Sequence, residues 1–264
     1  MNHFVKPRPV ALVTGAFRGI GLACAKRLAA SGFNLLINDR PGGENAAKSA
    51  SLTDDFAKLG ADCLPVLSDI GDLEGHAALL AAALNRWGRI DCLVNNAGVS
   101  ARQRGDLLDV SPESFDTCML VNARAVFFLT QAVAREMINA KSPARDHRSI
   151  VTITSSNAEA VSILRGEYCA SKAAASMITR LFAVRLADAG IGVYEVRPGI
   201  IETEMTLPAK ARYDAMIADH RVPANRWGLP DDVAAAVATV AEGRLPYTVG
   251  QVITVDGGFI TPHF

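Results

Sequence analysis

Val10-Ala11-Leu12-Val13-Thr14-Gly15-Ala16-Phe17-Arg18-Gly19-Ile20-Gly21 is the stretch on which the fold turns. Four apolar residues form a short buried strand, Thr14-Gly15 ends it, and a helical pattern runs over 19–30 until Gly32 closes it. Glycines at a strand-to-helix turn allow tight curvature and close approach of a ligand, and the helix N-terminus presents free N–H groups to an anion. The spacing is not Gly-x-Gly-x-x-Gly, so the segment taken alone also reads as an ordinary glycine-rich turn.

Outward from this turn the pattern repeats. A second apolar strand over 34–38 ends in Asp39-Arg40, a helix follows over 46–59, and a third strand over 63–67 ends in Ser68-Asp69-Ile70. A helix over 73–87 leads to a strand over 90–94 closed by Asn95-Asn96-Ala97-Gly98, and a long helix spans 120–138. Then come a strand over 149–154 with Ser155-Ser156 at its tip, a helix over 167–189, a strand over 193–196 leading into Arg197-Pro198-Gly199, a helix over 231–241 and a last strand over 251–255. Strands alternating with helices of this length predict a doubly wound α/β fold: a mostly parallel seven-stranded sheet of Rossmann type with helices on both faces. The rhythm has no linker or low-complexity break, so residues 1–264 read as one domain. The polar stretch 141–148 reads as a surface loop, and 204–227 as an excursion from the sheet rim: a substrate lid, or a packing or oligomer-contact segment.

Composition narrows the class. The 264 residues are 50% hydrophobic, with 27 basic against 27 acidic side chains, which gives no electrostatic reason to expect nucleic acid or an anionic membrane as partner. No uninterrupted apolar run reaches the ~18–20 residues of a membrane helix, and no secretory signal precedes the first strand. The five cysteines are odd in number and lack a Cys-x-x-Cys pair, so they predict small buried thiols in a reducing cytoplasm. The histidines show no metal-ligand spacing, and no metal is assigned.

Chemistry gathers at the strand tips. Asp39 lies about 20 residues past the glycine turn, where a dinucleotide fold hydrogen-bonds the adenosine ribose, although Asp and Arg also begin ordinary loops. Asn95, Asn96 and Gly98 can hold a sugar or cap a turn. In Glu167-Tyr168-Cys169-Ala170-Ser171-Lys172, Tyr168 and Lys172 share a helix face. A phenol titrates near ~10, and an adjacent ammonium would lower that and make Tyr168 a usable acid or base. Asn122, inside a long helix, competes with helix hydrogen bonds and marks either a solvent-facing position or a local distortion.

Five ordered signatures together resemble the short-chain dehydrogenase/reductase family, in its standard-length branch. They are Thr14-Gly15-x-x-x-Gly19-x-Gly21, Asn95-Asn96-Ala97-Gly98, Ser155 thirteen residues before Tyr168, Tyr168-x-x-x-Lys172, and Pro198-Gly199. The resemblance implies an oxidoreductase moving hydride between a nicotinamide cofactor and a secondary alcohol or ketone. It implies Tyr168 as proton donor or acceptor, Lys172 lowering the phenol's pKa and binding the nicotinamide ribose, Ser155 holding the substrate oxygen, and Asn122 supporting a water-linked relay to the lysine. By similarity, Gly15, Arg18, Gly19, Ile20 and Gly21 line the pyrophosphate turn, Asp69 and Ile70 flank the adenine, and Asn96 and Gly98 flank the sugars. Pro198, Gly199, Ile201 and Thr203 approach the nicotinamide. The family also implies a homo-oligomer, commonly a tetramer built on the two long helices and the C-terminal strand.

Cofactor choice follows from charge. Asp39 accepts ribose hydroxyls and repels a 2′-phosphate, so NAD is expected, while Arg18 and Arg40 leave NADP as the alternative. Asn157, Glu159, Arg165 and Glu167 border the carbonyl site, and the mixed side chains of the 204–227 segment suit a polar or acidic substrate. Two other readings stand beside this one. A 3-oxoacyl-carrier-protein reductase using NADPH is suggested by Arg226-Trp227-Gly228-x-Pro230. A non-catalytic dinucleotide sensor on the same fold is the rival of another class, disfavoured because all four catalytic candidates are present.

Overall fold

A computed structural model of the chain describes residues 7–140 and 147–262. Its seven strands are β1 (Val10–Thr14), β2 (Asn34–Asp39), β3 (Cys63–Leu67), β4 (Cys92–Asn95), β5 (Arg148–Ile153), β6 (Ile191–Pro198) and β7 (Val252–Val255). They lie in the order β3-β2-β1-β4-β5-β6-β7. Every pairing is parallel, from Leu35 opposite Cys63 at one end to Pro198 opposite Val255 at the other. The sheet grows one way from β1 to β3 and the other way from β4 to β7. The direction therefore reverses between β1 and β4, the switch point where open α/β sheets take ligands.

The strands read as apolar runs because both faces are covered. Successive side chains point to opposite faces, and the core divides accordingly. Ala11, Val13, Leu35, Ile37, Cys92, Val94, Val151, Ile153 and Val196 face one cluster, which contains residues of α1 (Gly19–Ala30), α2 (Gly43–Lys58) and α8 (Pro230–Ala241). Leu12, Leu36, Leu93, Ile150 and Val193 face a second, with α3 (Gly75–Trp87), α5 (Ala125–Asn139) and α6 (Gly166–Leu186). The doubly wound Rossmann architecture expected from the alternation is the one observed.

Differences from the sequence reading are local. The helix expected over 120–138 is two pieces, a π-helical turn (Leu120–Arg124) and α5, and it continues from a helix the sequence reading did not place, α4 (Pro112–Met119). Ser111 caps α4 by accepting from the Ser114 N–H at 3.3 Å, with Pro112 in the first turn, a start signal visible in the sequence. The excursion over 204–227 holds a further helix, α7 (Lys210–Ala218), whose Tyr213 and Met216 pack with Ile200 and Val222 in a small core of their own. Of the loop expected at 141–148, residues 141–146 lie outside the described residues and Arg148 already opens β5.

By length and composition Pro112–Asn139 is apolar enough to cross a membrane. In the fold, Leu129, Val133 and Met137 of this run are buried in the second core cluster, so much of its apolarity serves the sheet.

Candidate active site

The glycine turn after β1 and the tip of β4 are tied together by side chains. Asn96 donates its amide to the carbonyl oxygens of Thr14 (2.8 Å) and Gly15 (2.9 Å), and Thr14 Oγ1 accepts from the N–H groups of Asn96 (3.1 Å) and Ala97 (3.0 Å). Gly15 has φ +62°, and a Cβ there would lie 2.8 Å from Ala97 Cα. Only glycine fits this crossing of two backbones. Asp39, at the tip of β2, accepts from the N–H of Phe17 at 3.3 Å and of Arg40 at 2.9 Å, so its carboxylate is aimed at the same turn.

Above these tips lies a cavity of about 560 Å³. It is lined by Gly15, Arg18, Gly19, Ile20, Gly21, Asp39, Asp69, Ile70, Asn96, Gly98, Ser155, Tyr168, Lys172, Pro198, Gly199, Ile201 and Thr203. The cofactor candidates implied by the resemblance are therefore in one cavity, whereas Asn95 is buried and donates to Thr130 Oγ1 at 2.9 Å instead. Val99 and Ser100 also line the cavity and were not singled out by sequence reading; their only sequence signal is position, just past a strand tip. Met205 and Thr206 line it from the 204–227 excursion.

Asn122 stands one layer behind, buried in the π-helical turn. Its Oδ1 accepts from Val99 N–H at 2.9 Å, and its Nδ2 donates to Val99 O and Ser171 Oγ, each at 2.9 Å. All its polar capacity is engaged, which explains a buried asparagine in a helix. Gly98 sits between the two groups: a Cβ there would lie 3.1 Å from Asn122 Oδ1 and 3.4 Å from Lys172 Nζ.

Tyr168 and Lys172 occupy the first two turns of α6, both buried. Ser155 follows β5 and caps a short 3-10 turn, accepting from Asn157 N–H at 3.1 Å. The electrostatics differ from expectation in one respect. Burial pushes the Tyr168 phenol up, and the groups that pull against it are the Ser155 hydroxyl, hydrogen-bonded to it, and the Arg165 cation. Arg165 lies 5.0 Å from the Tyr168 ring centroid, whereas Lys172 Nζ lies 5.9 Å from it and donates instead to Ile153 O at 3.0 Å. Arg165 is thus a further cation beside the phenol, nearer the ring than the lysine.

Burial brings Lys172 down to about 8, against the opposing pull of Glu195 and Cys118. An unfolded lysine keeps its proton to about 10.5, so between about 8 and that value the unfolded state binds the extra proton. Stability therefore rises with pH across that window. Relative to Lys172→Met, the wild-type Tm should climb between pH 8 and about 10; thermal melts showing a constant gap would contradict a lysine buried in this way.

Two of the residues expected at the carbonyl site turn elsewhere. Glu159 pairs with Arg197, and Glu167 accepts from Ser114 Oγ at 2.7 Å, away on α4. Among the described residues no group of three or more His, Cys, Asp or Glu side chains is arranged to hold a metal ion.

A family model described as enoyl-(acyl carrier protein) reductase matches residues 15–260. The chain is 34% identical over 262 residues to 2-dehydro-3-deoxy-D-gluconate 5-dehydrogenase of Dickeya dadantii, covering 98% of each. It is 46% identical to a structure of 3-oxoacyl-(acyl-carrier protein) reductase from Brucella melitensis in complex with NAD, with a TM-score of 0.93 over 98% of this chain and 100% of that one. It is 33% identical to a gluconate 5-dehydrogenase from Burkholderia cenocepacia in complex with NADP and tartrate, with a TM-score of 0.86 over 98% and 97%.

Proposed function

The chain belongs to the short-chain dehydrogenase/reductase family, and on that premise we propose that it oxidises a secondary alcohol or reduces the corresponding ketone with Tyr168 as the proton-transfer group. The observation that carries this is the meeting of Tyr168, Ser155 and Lys172 in the same cavity as the glycine turn and Asp39. Activity is read as the change in reduced-nicotinamide absorbance when protein, cofactor and a secondary alcohol or ketone are mixed.

The residues fit a dinucleotide. Helix α1 starts without a side-chain cap and without an acid in its first turn, leaving its first N–H groups to face an anion. Gly15, Arg18, Gly19, Ile20 and Gly21 would hold the pyrophosphate there. Asp39 keeps acceptor capacity beyond its two backbone partners and would take the adenosine ribose. Asp69 and Ile70 would flank the adenine, and Asn96, Gly98, Pro198, Gly199, Ile201 and Thr203 the nicotinamide half. When bound, the cofactor supplies or accepts the hydride. The chain's own part is to hold the reacting oxygen by Ser155 and to exchange its proton with the Tyr168 hydroxyl. Lys172 would bind the ribose and, through Asn122, keep the proton path fixed. Met205 and Thr206 would cover the site as the inner edge of a lid.

We assign NAD as the preferred cofactor. Arg18, one of the two cations that could favour NADP, is paired with Glu204 at 2.6 Å, while Arg40 also lines the cavity. A 2′-phosphate ~4 Å from Asp39 would be repelled by ~4 kcal/mol at an effective dielectric of 20. Asp39→Ala should therefore raise kcat/KM with NADPH relative to NADH by at least about a hundredfold. Faster turnover of NADPH than NADH by the unmutated protein at equal concentration would sink the assignment. The reductase bound to NAD gives a second reading, a 3-oxoacyl-carrier-protein reductase, which a thioester ketone substrate tests.

The exposed faces of α5 and α6 support a homo-oligomer. Met177, Leu181 and Val184 form one exposed apolar stripe beside exposed Phe128. Light scattering should report a tetramer; a monomeric mass would contradict this. Five free cysteines, four of them buried, fit a reducing cytoplasm.

A further inference from the structure

The proton-transfer tyrosine has cationic neighbours that no acid neutralises. Arg165 covers the Tyr168 ring and donates to Asn157 Oδ1. Its Nε is buried without a hydrogen-bond partner. Arg104 comes from the loop after β4, which is joined to the Arg165 turn by the bond from Gly105 N–H to Leu164 O at 3.3 Å. Arg104 lies 5.9 Å from the ring centroid of Tyr213 and donates to its hydroxyl at 3.5 Å. Neither arginine has a carboxylate partner among the described residues.

The nearby acids are committed elsewhere. Glu159 pairs with Arg197, Glu167 with Ser114, and Asp214 with Lys210 and Trp227. Burial would raise the Tyr213 phenol, but Arg165, Arg104 and Arg212 together bring it below its ordinary value. Arg165 over Tyr168 and Arg104 over Tyr213, on segments joined by the Gly105–Leu164 bond, thus place two cations between the active-site tyrosine and the lid helix. The chain as a whole is balanced at 27 basic and 27 acidic residues, so this local excess does not follow from overall charge. Partly buried, uncompensated guanidinium groups are costly to keep unless something anionic joins them, and their planar forks suit a carboxylate.

We propose that Arg165 and Arg104 form the receptor for a carboxylate on the substrate, so that the alcohol or ketone turned over beside Tyr168 is a hydroxy or oxo acid. The proposal rests on the oxidoreductase reading and deepens it by naming the substrate class. Arg165 has a double place in it, holding the acid and stacking on the tyrosine that exchanges the proton.

The test pairs three acids, D-gluconate, L-tartrate and 3-hydroxybutyrate, each with its own carboxamide, which keeps size and hydroxyls but removes the charge. Kinetics with NAD are read as the ratio of kcat/KM for acid over amide. At least one acid should exceed its amide by about tenfold or more, the margin of a charge-assisted over a neutral hydrogen bond. In Arg165→Gln and Arg104→Gln that ratio should fall by about tenfold, mainly through KM of the acid, with Arg165→Lys keeping part of it. Because the ratio cancels any effect of Arg165 on the Tyr168 proton, a purely tuning or structural arginine would lower both substrates equally, and that outcome would overturn the proposal. So would amides matching acids in the wild type. Calorimetric titration of each acid and amide into the NADH-loaded protein scores the receptor separately. Acid binding lost in Arg165→Gln without any turnover would uphold the receptor and sink the oxidoreductase reading; turnover of neutral alcohols with no acid preference would do the reverse.

Discussion

Replacing Tyr168 by phenylalanine is expected to lower kcat on the order of a thousandfold, within the range that positioned acid–base groups contribute. The ring is buried and fills the same space in both residues, so the fold should persist, and NADH uptake should weaken by no more than about tenfold, as for one lost hydroxyl. The direction of reaction sharpens the expectation. Burial holds the phenol above its ordinary value against Ser155 and Arg165, so the protonated form dominates at neutral pH. Carbonyl reduction then starts with its proton in place, whereas alcohol oxidation needs the phenolate and should accelerate as pH rises. A Tyr168→Phe enzyme within tenfold of wild type in initial-rate assays would move the proton transfer to another group.

The second large effect concerns stability. Glu195, on β6, is almost wholly buried and accepts from Thr154 Oγ1 at 2.6 Å, Ser176 Oγ at 2.6 Å and Arg197 Nε at 2.9 Å. Arg197, two residues on and equally buried, also reaches Glu159 at the edge of the site. Two buried charges of this kind contribute little as a pair, but removing one strands the other. Arg197→Met should therefore cost about 3–5 kcal/mol, a fall in Tm on the order of 10 °C for a chain of this size. The double variant Arg197→Met/Glu195→Gln should recover part of that loss. Equal melting of wild type and Arg197→Met would show that the Thr154 and Ser176 hydroxyls and water satisfy the Glu195 carboxylate without the arginine.

Much of this was legible in the chain. The two faces of the sheet are written as alternation within apolar strands, Leu12 to one side and Val13 to the other. The tips that line the cavity are marked by glycine, asparagine and aspartate where the apolar runs stop. Asn122 left open a solvent-facing position or a distorted helix, and its burial in a π-helical turn decides for the distortion. What stayed hidden depends on distant partners. Nothing local distinguishes Arg104 from any surface arginine until the Gly105–Leu164 bond brings it beside Arg165. Glu195 and Arg197 interrupt a strand that otherwise reads as core, and only the meeting of β6 with Thr154 and Ser176 shows how that pair is accommodated. The tyrosine–lysine spacing carries no sign of Arg165, whose cation lies closer to the Tyr168 ring than Lys172 Nζ does.

The most direct test of hydride transfer at this site is the initial rate of nicotinamide reduction or oxidation by the wild-type protein, across secondary alcohols and ketones with NAD(H) and NADP(H). At least one hydroxy or oxo acid should be turned over, faster with NAD(H) than with NADP(H). Tight cofactor binding without turnover of any alcohol or ketone would contradict it.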